Sequence, residues 1–97
     1  MANYICLLNF TDQGIRKVKA TTKRAKDLQA MAAKMNVDVR ELYWTMGRYD
    51  VVVVAEAPDD ETITRMTLGL GILGNVKTET LRAFTAKEMN EVLKGLP

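Results

Sequence analysis

Gly47-Arg48-Tyr49-Asp50-Val51-Val52-Val53-Val54-Ala55 is the stretch on which the reading of this chain turns. Four consecutive valines are its strongest strand signal, because a β-branched side chain is stiff at its first torsion and packs well on a pleated surface. The four residues before them have turn chemistry: glycine supplies a positive φ, and aspartate bonds neighbouring backbone amides. Just upstream, Val37 to Met46 reads as another strand, with Val39, Tyr43 and Thr45 on one alternating set and Leu42, Trp44 and Met46 on the other. Two strands so closely joined form a hairpin.

The segments around the hairpin are paired like with like. From Thr22, Ala25, Leu28, Ala32 and Met35 recur at steps of three and four with Met31 beside them, which predicts a helix with one buried stripe, stopped at Asn36. Before it, Tyr4 to Phe10 is an apolar strand with both alternating sets hydrophobic, so both faces of it are expected to be covered. Thr11-Asp12-Gln13-Gly14 breaks that strand, with Asp12 as cap of a short helical turn carrying Ile15 and Val18. After the valines, Pro58 ends the strand and Asp59 is the N-cap of a second helix, with Asp60 and Glu61 at its positive end and Ile63, Met66, Leu70 and Leu73 as its stripe. Gly69 and Gly71 imply close packing of that helix or a frayed last turn. Gly74-Asn75 terminates it, Val76 to Phe84 is the fourth strand, and Thr85-Ala86-Lys87-Glu88 is a capping box for a short terminal helix with Met89, Val92 and Leu93 inward.

That order predicts an α+β fold, the ferredoxin-like β-α-β-β-α-β plait: a four-stranded antiparallel sheet with two helices on one face, followed by a short C-terminal helix. A chain of 97 residues holds one core and not two, so residues 1–97 are expected to be one domain. The other sheet face, with Ile5, Leu7, Tyr43, Val52 and Val54, is too apolar to face water. Two such sheets face to face, a homodimeric α/β barrel or a higher homo-oligomer built on it, would cover it.

Composition narrows the chemistry. With 47% hydrophobic and 27% charged residues the chain has ordinary folding composition. Cys6 is the only cysteine, which excludes a disulfide framework and a structural zinc or iron–sulfur site. The absence of histidine removes the usual general base, the commonest metal ligand and the proximal ligand of histidine-ligated haem. No phosphate loop, dinucleotide fingerprint or nucleophile elbow is present, so neither a metal nor a cofactor is expected. No secretory leader and no apolar run of about 20 residues is seen, which points to the cytoplasm and away from a membrane. The basic stretch Arg16, Lys17, Lys19, Lys23, Arg24 and Lys26 lacks interleaved aromatics or any nucleic-acid motif, and with a net charge of only +2 it reads as a solvated helix face.

Asn9-Phe10-Thr11-Asp12-Gln13-Gly14-Ile15, Tyr43-Trp44-Thr45, Gly47-Arg48-Tyr49-Asp50, Glu56-Ala57-Pro58-Asp59-Asp60 and Gly74 to Thr85 together resemble the GYD-domain family of small bacterial and archaeal proteins. Arg48 stands inside the eponymous Gly-Tyr-Asp wording, giving Gly-x-Tyr-Asp here. The resemblance implies a place among the dimeric α/β-barrel proteins and carries no settled activity. A more distant likeness, through Gly47 to Asp50 and Gly74 to Val76, is to the small-molecule-sensing domain of the leucine-responsive regulators.

The candidate ligand-binding residues are Asn9, Tyr43, Thr45, Arg48, Glu56 and Arg82. Arg48 is not required by turn geometry and has the reach for a carboxylate or phosphate. Glu56 ends an apolar strand and needs a partner, for which Arg82 is the candidate. Tyr43 and Trp44 point to opposite sheet faces, with core packing the expected role of Trp44. Two readings follow: a homo-oligomeric module that binds a small organic ligand between paired sheets or serves in assembly, and a cofactor-independent enzyme of monooxygenase or isomerase type. The first is favoured because no pair of residues has base–nucleophile character.

Overall fold

A computed structural model describes all 97 residues. Strand β1 (Ala2–Phe10) leads through a one-turn helix α1 (Asp12–Arg16) and a 3-10 turn (Val18–Ala20) into α2 (Thr21–Lys34). The hairpin β2 (Asp38–Trp44) and β3 (Val51–Ala57), α3 (Asp60–Leu73), β4 (Val76–Ala83) and α4 (Ala86–Lys94) follow. The strands lie in the order β2-β3-β1-β4, each pair antiparallel, which is the expected plait. Its extents of 51 × 31 × 18 Å match two layers, one of helices and one of sheet.

Alternation builds the core. Tyr4, Cys6 and Leu8 of β1 and Val51, Val53, Ala55 and Ala57 of β3 all point to one face. There they meet Leu28 and Ala32 of α2 and Ile63, Met66 and Leu70 of α3 in one hydrophobic cluster. No helix is long and apolar enough to cross a membrane.

The local stop and start signals act as read, with refinements. Asn36 adopts φ 65° past the end of α2, and the amides of Asn36 and Val37 donate back to Ala33 and Ala32 at 3.2 and 2.8 Å, closing the helix with a Schellman pattern. Asp59 caps α3 by accepting from the Thr62 amide at 2.8 Å, Gly74 ends it at φ 82°, and Thr85 and Glu88 form the capping box of α4. Thr11, not Asp12, caps α1, because Thr11 keeps extended backbone while Asp12 is already helical. A Cβ on Gly71 would meet nothing within 4 Å and one on Gly69 only Met31 Sδ at 3.9 Å, so neither close packing nor fraying accounts for those glycines.

Three expectations are corrected. The pairing of β2 slips at Arg40, so Val39 and Leu42 share the helix-covered face instead of opposing each other, and the strand stops at Trp44, leaving Thr45 and Met46 in the connection. Leu73 is 60% exposed, since its helix ends there and overhangs the sheet. Met89, Val92 and Leu93 are not packed inward: all three are about half exposed, because α4 is fastened only at its start. Asn3 Nδ2 donates to Glu88 Oε1 at 3.2 Å, and Arg82 lies 3.7 Å from Glu88 Oε2.

Candidate functional site

The ladder registers define the open face row by row. One row runs Tyr43, Val52, Leu7, Glu79 across the four strands, and the next runs Glu41, Val54, Ile5, Leu81. The two central strands thus present valine, leucine and isoleucine, all half-buried, while the edge strands present Tyr43 and Glu41 on one side and Glu79 and Leu81 on the other. At the Tyr43 edge, the hydroxyl donates to Glu41, and that bond together with the carboxylate's charge pushes the phenol's pKa up. In the row beyond, Glu56 stands between Asp38 and Asn3.

Of the six candidate ligand residues, Asn9, Tyr43 and Glu56 lie on this face, spread over its length rather than converging. Thr45 and Arg48 sit in the hairpin connection, where the Thr45 hydroxyl donates to the Tyr49 carbonyl at 2.6 Å and Arg48 is exposed. The pairing of Glu56 with Arg82 is overturned. Arg82 is registered with Tyr4, so it projects on the helix side, with its guanidinium 5.6 Å from the Tyr4 ring centre and 4.7 Å from that of Phe84. Glu56 is instead paired with Arg40 at 3.1 Å, which the slip in β2 brings onto the same face.

The hairpin itself is a clasp. Gly47 takes φ 99°, as expected. The Asp50 carboxylate, expected to cap its own turn, accepts from the Phe10 amide at 2.8 Å instead, while the Asp50 amide donates to the Leu8 carbonyl and its carbonyl accepts from Thr45, both at 2.9 Å. The reason is geometric: β1 outruns the last β1–β3 pair, Leu8 with Val51, and its next inward amide needs an acceptor. Tyr49 reaches over β1 so that its hydroxyl donates to Glu79 of β4 at 3.2 Å. Gly-x-Tyr-Asp therefore ties the hairpin to both strands on its far side.

The helix side holds two polar features within an apolar layer. Tyr4 donates to Asp60 at 2.6 Å; burial, reinforced by that hydrogen bond and the Asp60 charge, pushes its hydroxyl to about 12, so it stays protonated and structural. The second feature escaped sequence reasoning. A cavity of about 410 Å³ opens between α2, the ends of β1 and β2, and the end of α3. Trp44 and Arg24 line it, and Trp44, 44% exposed and thus only half in the core, donates from Nε1 to Thr21 Oγ1 at 3.0 Å. The available signal was Arg24 itself, which stands four residues before Leu28 on the buried stripe, where the helical period asks for an apolar side chain.

Comparison with known proteins agrees with this architecture. FFRP-DM1, of known crystal structure, superposes with a TM-score of 0.61 at 21% identity over 87% of this chain and 100% of its own. A solved protein of Thermus thermophilus superposes with a TM-score of 0.58 at 28% identity over 89% of this chain and 96% of its own. In sequence, the chain is 35% identical over 95 residues to a Thermus thermophilus protein named as a glutamine synthetase and cystathionine beta-lyase binding protein, covering 97% of this chain and 100% of that one. The family model of the GYD domain matches residues 4–93, almost the whole length. This chain belongs to the GYD-domain family.

Proposed function

We propose that this GYD protein is a homo-oligomeric binding and assembly module: two copies pair through their open sheet faces, and the assembled unit docks on a metabolic enzyme. The observation that carries the reading is the pair of central rows, where Val52 beside Leu7 and Val54 beside Ile5 form an apolar strip that the chain's own helices leave uncovered. Such a strip bordered by charge is the composition of an interface, apolar at its centre and polar at its rim. The name of its Thermus relative supports enzymes as partners, glutamine synthetase and cystathionine beta-lyase being the first to test.

Between paired sheets, Asn9, Tyr43 and Glu56 would face the enclosed space and Arg40 would neutralise Glu56 there. A small organic ligand held between the sheets would meet those residues, without Arg82, Thr45 or Arg48. Assembly is the stronger use, because the polar groups of this face are spread out along it instead of converging on one point.

Native mass spectrometry at micromolar concentration tests the pairing, with a dimer or a multiple of it expected and a monomer overturning it. Biosensor titration with glutamine synthetase and cystathionine beta-lyase tests the docking. Saturable binding to either is expected, and the absence of binding to both removes the enzyme half of the proposal.

A further inference from the structure

The helix-side cavity is independent of the sheet pairing, since it lies in the opposite layer. Of its 15 lining residues 11 are hydrophobic, Leu28, Met31, Leu42, Trp44, Leu70 and Leu73 among them. A volume of about 410 Å³ is at the small end of the ~300–1,000 Å³ typical of small-molecule pockets. The hollow is half open to solvent, so it is a cleft that a ligand can enter and not a sealed packing void.

One wall residue is out of keeping with the rest. Arg24 donates from Nη2 to the Gly14 carbonyl at 3.2 Å, but its Nη1 is shut off from solvent and has no acceptor in the chain. A guanidinium nitrogen kept dry and unpartnered is costly, and surface arginines avoid it by turning into water. Arg24 instead lines the cavity as its one cationic side chain, with part of its hydrogen-bonding capacity unused. The only acid on the cavity wall is Asp27, and it is taken by Lys23 at 3.2 Å.

We infer that this cavity binds a small monocarboxylic acid with an apolar body, its carboxylate received by Arg24 and its chain or ring by the hydrophobic wall. A carboxylate fits a guanidinium fork, and an apolar tail fits a lining that offers it few hydrogen bonds. A single unpaired cation beside Asp27 suits a monoanion and disfavours a phosphate dianion.

Trp44 is the chain's only tryptophan and lines the cavity, so its emission reports occupancy directly. Octanoate, 1-octanol and octylamine form the test series. Octanoate should change Trp44 emission saturably, with a Kd at least ~tenfold below that of octanol, and octylamine should be weakest. Arg24→Met should bring octanoate to the level of octanol while leaving octanol unchanged, and Arg24→Lys should recover part of the difference. Equal affinities for octanoate and octanol, an unchanged octanoate affinity in Arg24→Met, or no emission change with any probe would overturn the inference. Should Arg24→Met fail to fold, nitrogen NMR of the unaltered protein decides: octanoate must shift Arg24 Nε and Trp44 Nε1, and silence at both sinks it.

Discussion

Val51 and Val53 face the helices, whereas Val52 and Val54, from the same run of four, face away from them. The first pair is closed inside the core; the second is only half-covered by sheet neighbours. Identical side chains therefore carry two meanings. On the covered side they account for why the chain folds, and on the open side they are the basis for proposing that it assembles. The difference teaches that residue type is a poor guide to role here, and that the layer each residue faces is a better one.

Substitutions on the two sides should separate those roles. Met66→Ala, at a site 1% exposed in the covered layer, should lower unfolding free energy by about 2–5 kcal/mol in chemical denaturation and leave oligomeric state unchanged in the surviving folded protein. Asp50→Ala, which strands the Phe10 amide where hairpin and β1 meet, should cost about 1–3 kcal/mol, and Asp50→Asn should restore part of it by keeping an acceptor. Val54→Asp, on the open side, should cost the protomer only about 1 kcal/mol yet shift native mass spectra to monomer. If Val54→Asp unfolds the protein as Met66→Ala does, the distinction between the two faces fails.

Two smaller effects probe single contacts. Thr85→Ala should cost about 1 kcal/mol, seen in hydrogen exchange as faster opening of α4 and not of the strands. Glu88 is held below the usual carboxylate range, first by the Thr85 amide, then by the Thr85 hydroxyl. Its stabilising contribution is therefore present above the ordinary glutamate range and lost as pH falls through the depressed value, and acid should loosen α4 first. Tyr4 has the opposite sense. Its folded form keeps a proton that the unfolded chain releases near pH 10, so stability should decline as pH climbs from 10 towards 12, less steeply in Tyr4→Phe.

Where meaning lay within three or four residues, sequence was enough. Asp59 with Thr62, Thr85 with Glu88, and Asn36 after the stripe of α2 are local chemistry, and each stop and start came out where its residues required. The strand order also followed, since two strand–helix–strand units joined by a hairpin leave few arrangements. What depended on distant partners was hidden. The extra residue at Arg40 breaks the count of two without any glycine or proline to announce it, so alternation alone puts Val39 on the wrong side and hides Arg40 as the partner of Glu56. The side Arg82 takes is not legible in sequence, because the phase of β4 is set by its pairing with β1, which places Lys77 and Glu79 outward. The cavity was invisible because it needs Arg24, Trp44 and Leu73 from three elements at once.

The Asp50 contact with Phe10 closes a span of 40 residues, far longer than any of the helix caps. Such a contact needs the hairpin and first strand to have met, and it is expected to form on the native side of the folding barrier. Its loss should then quicken unfolding while scarcely changing the refolding rate. Gly-x-Tyr-Asp would thus govern how long the plait, once made, endures.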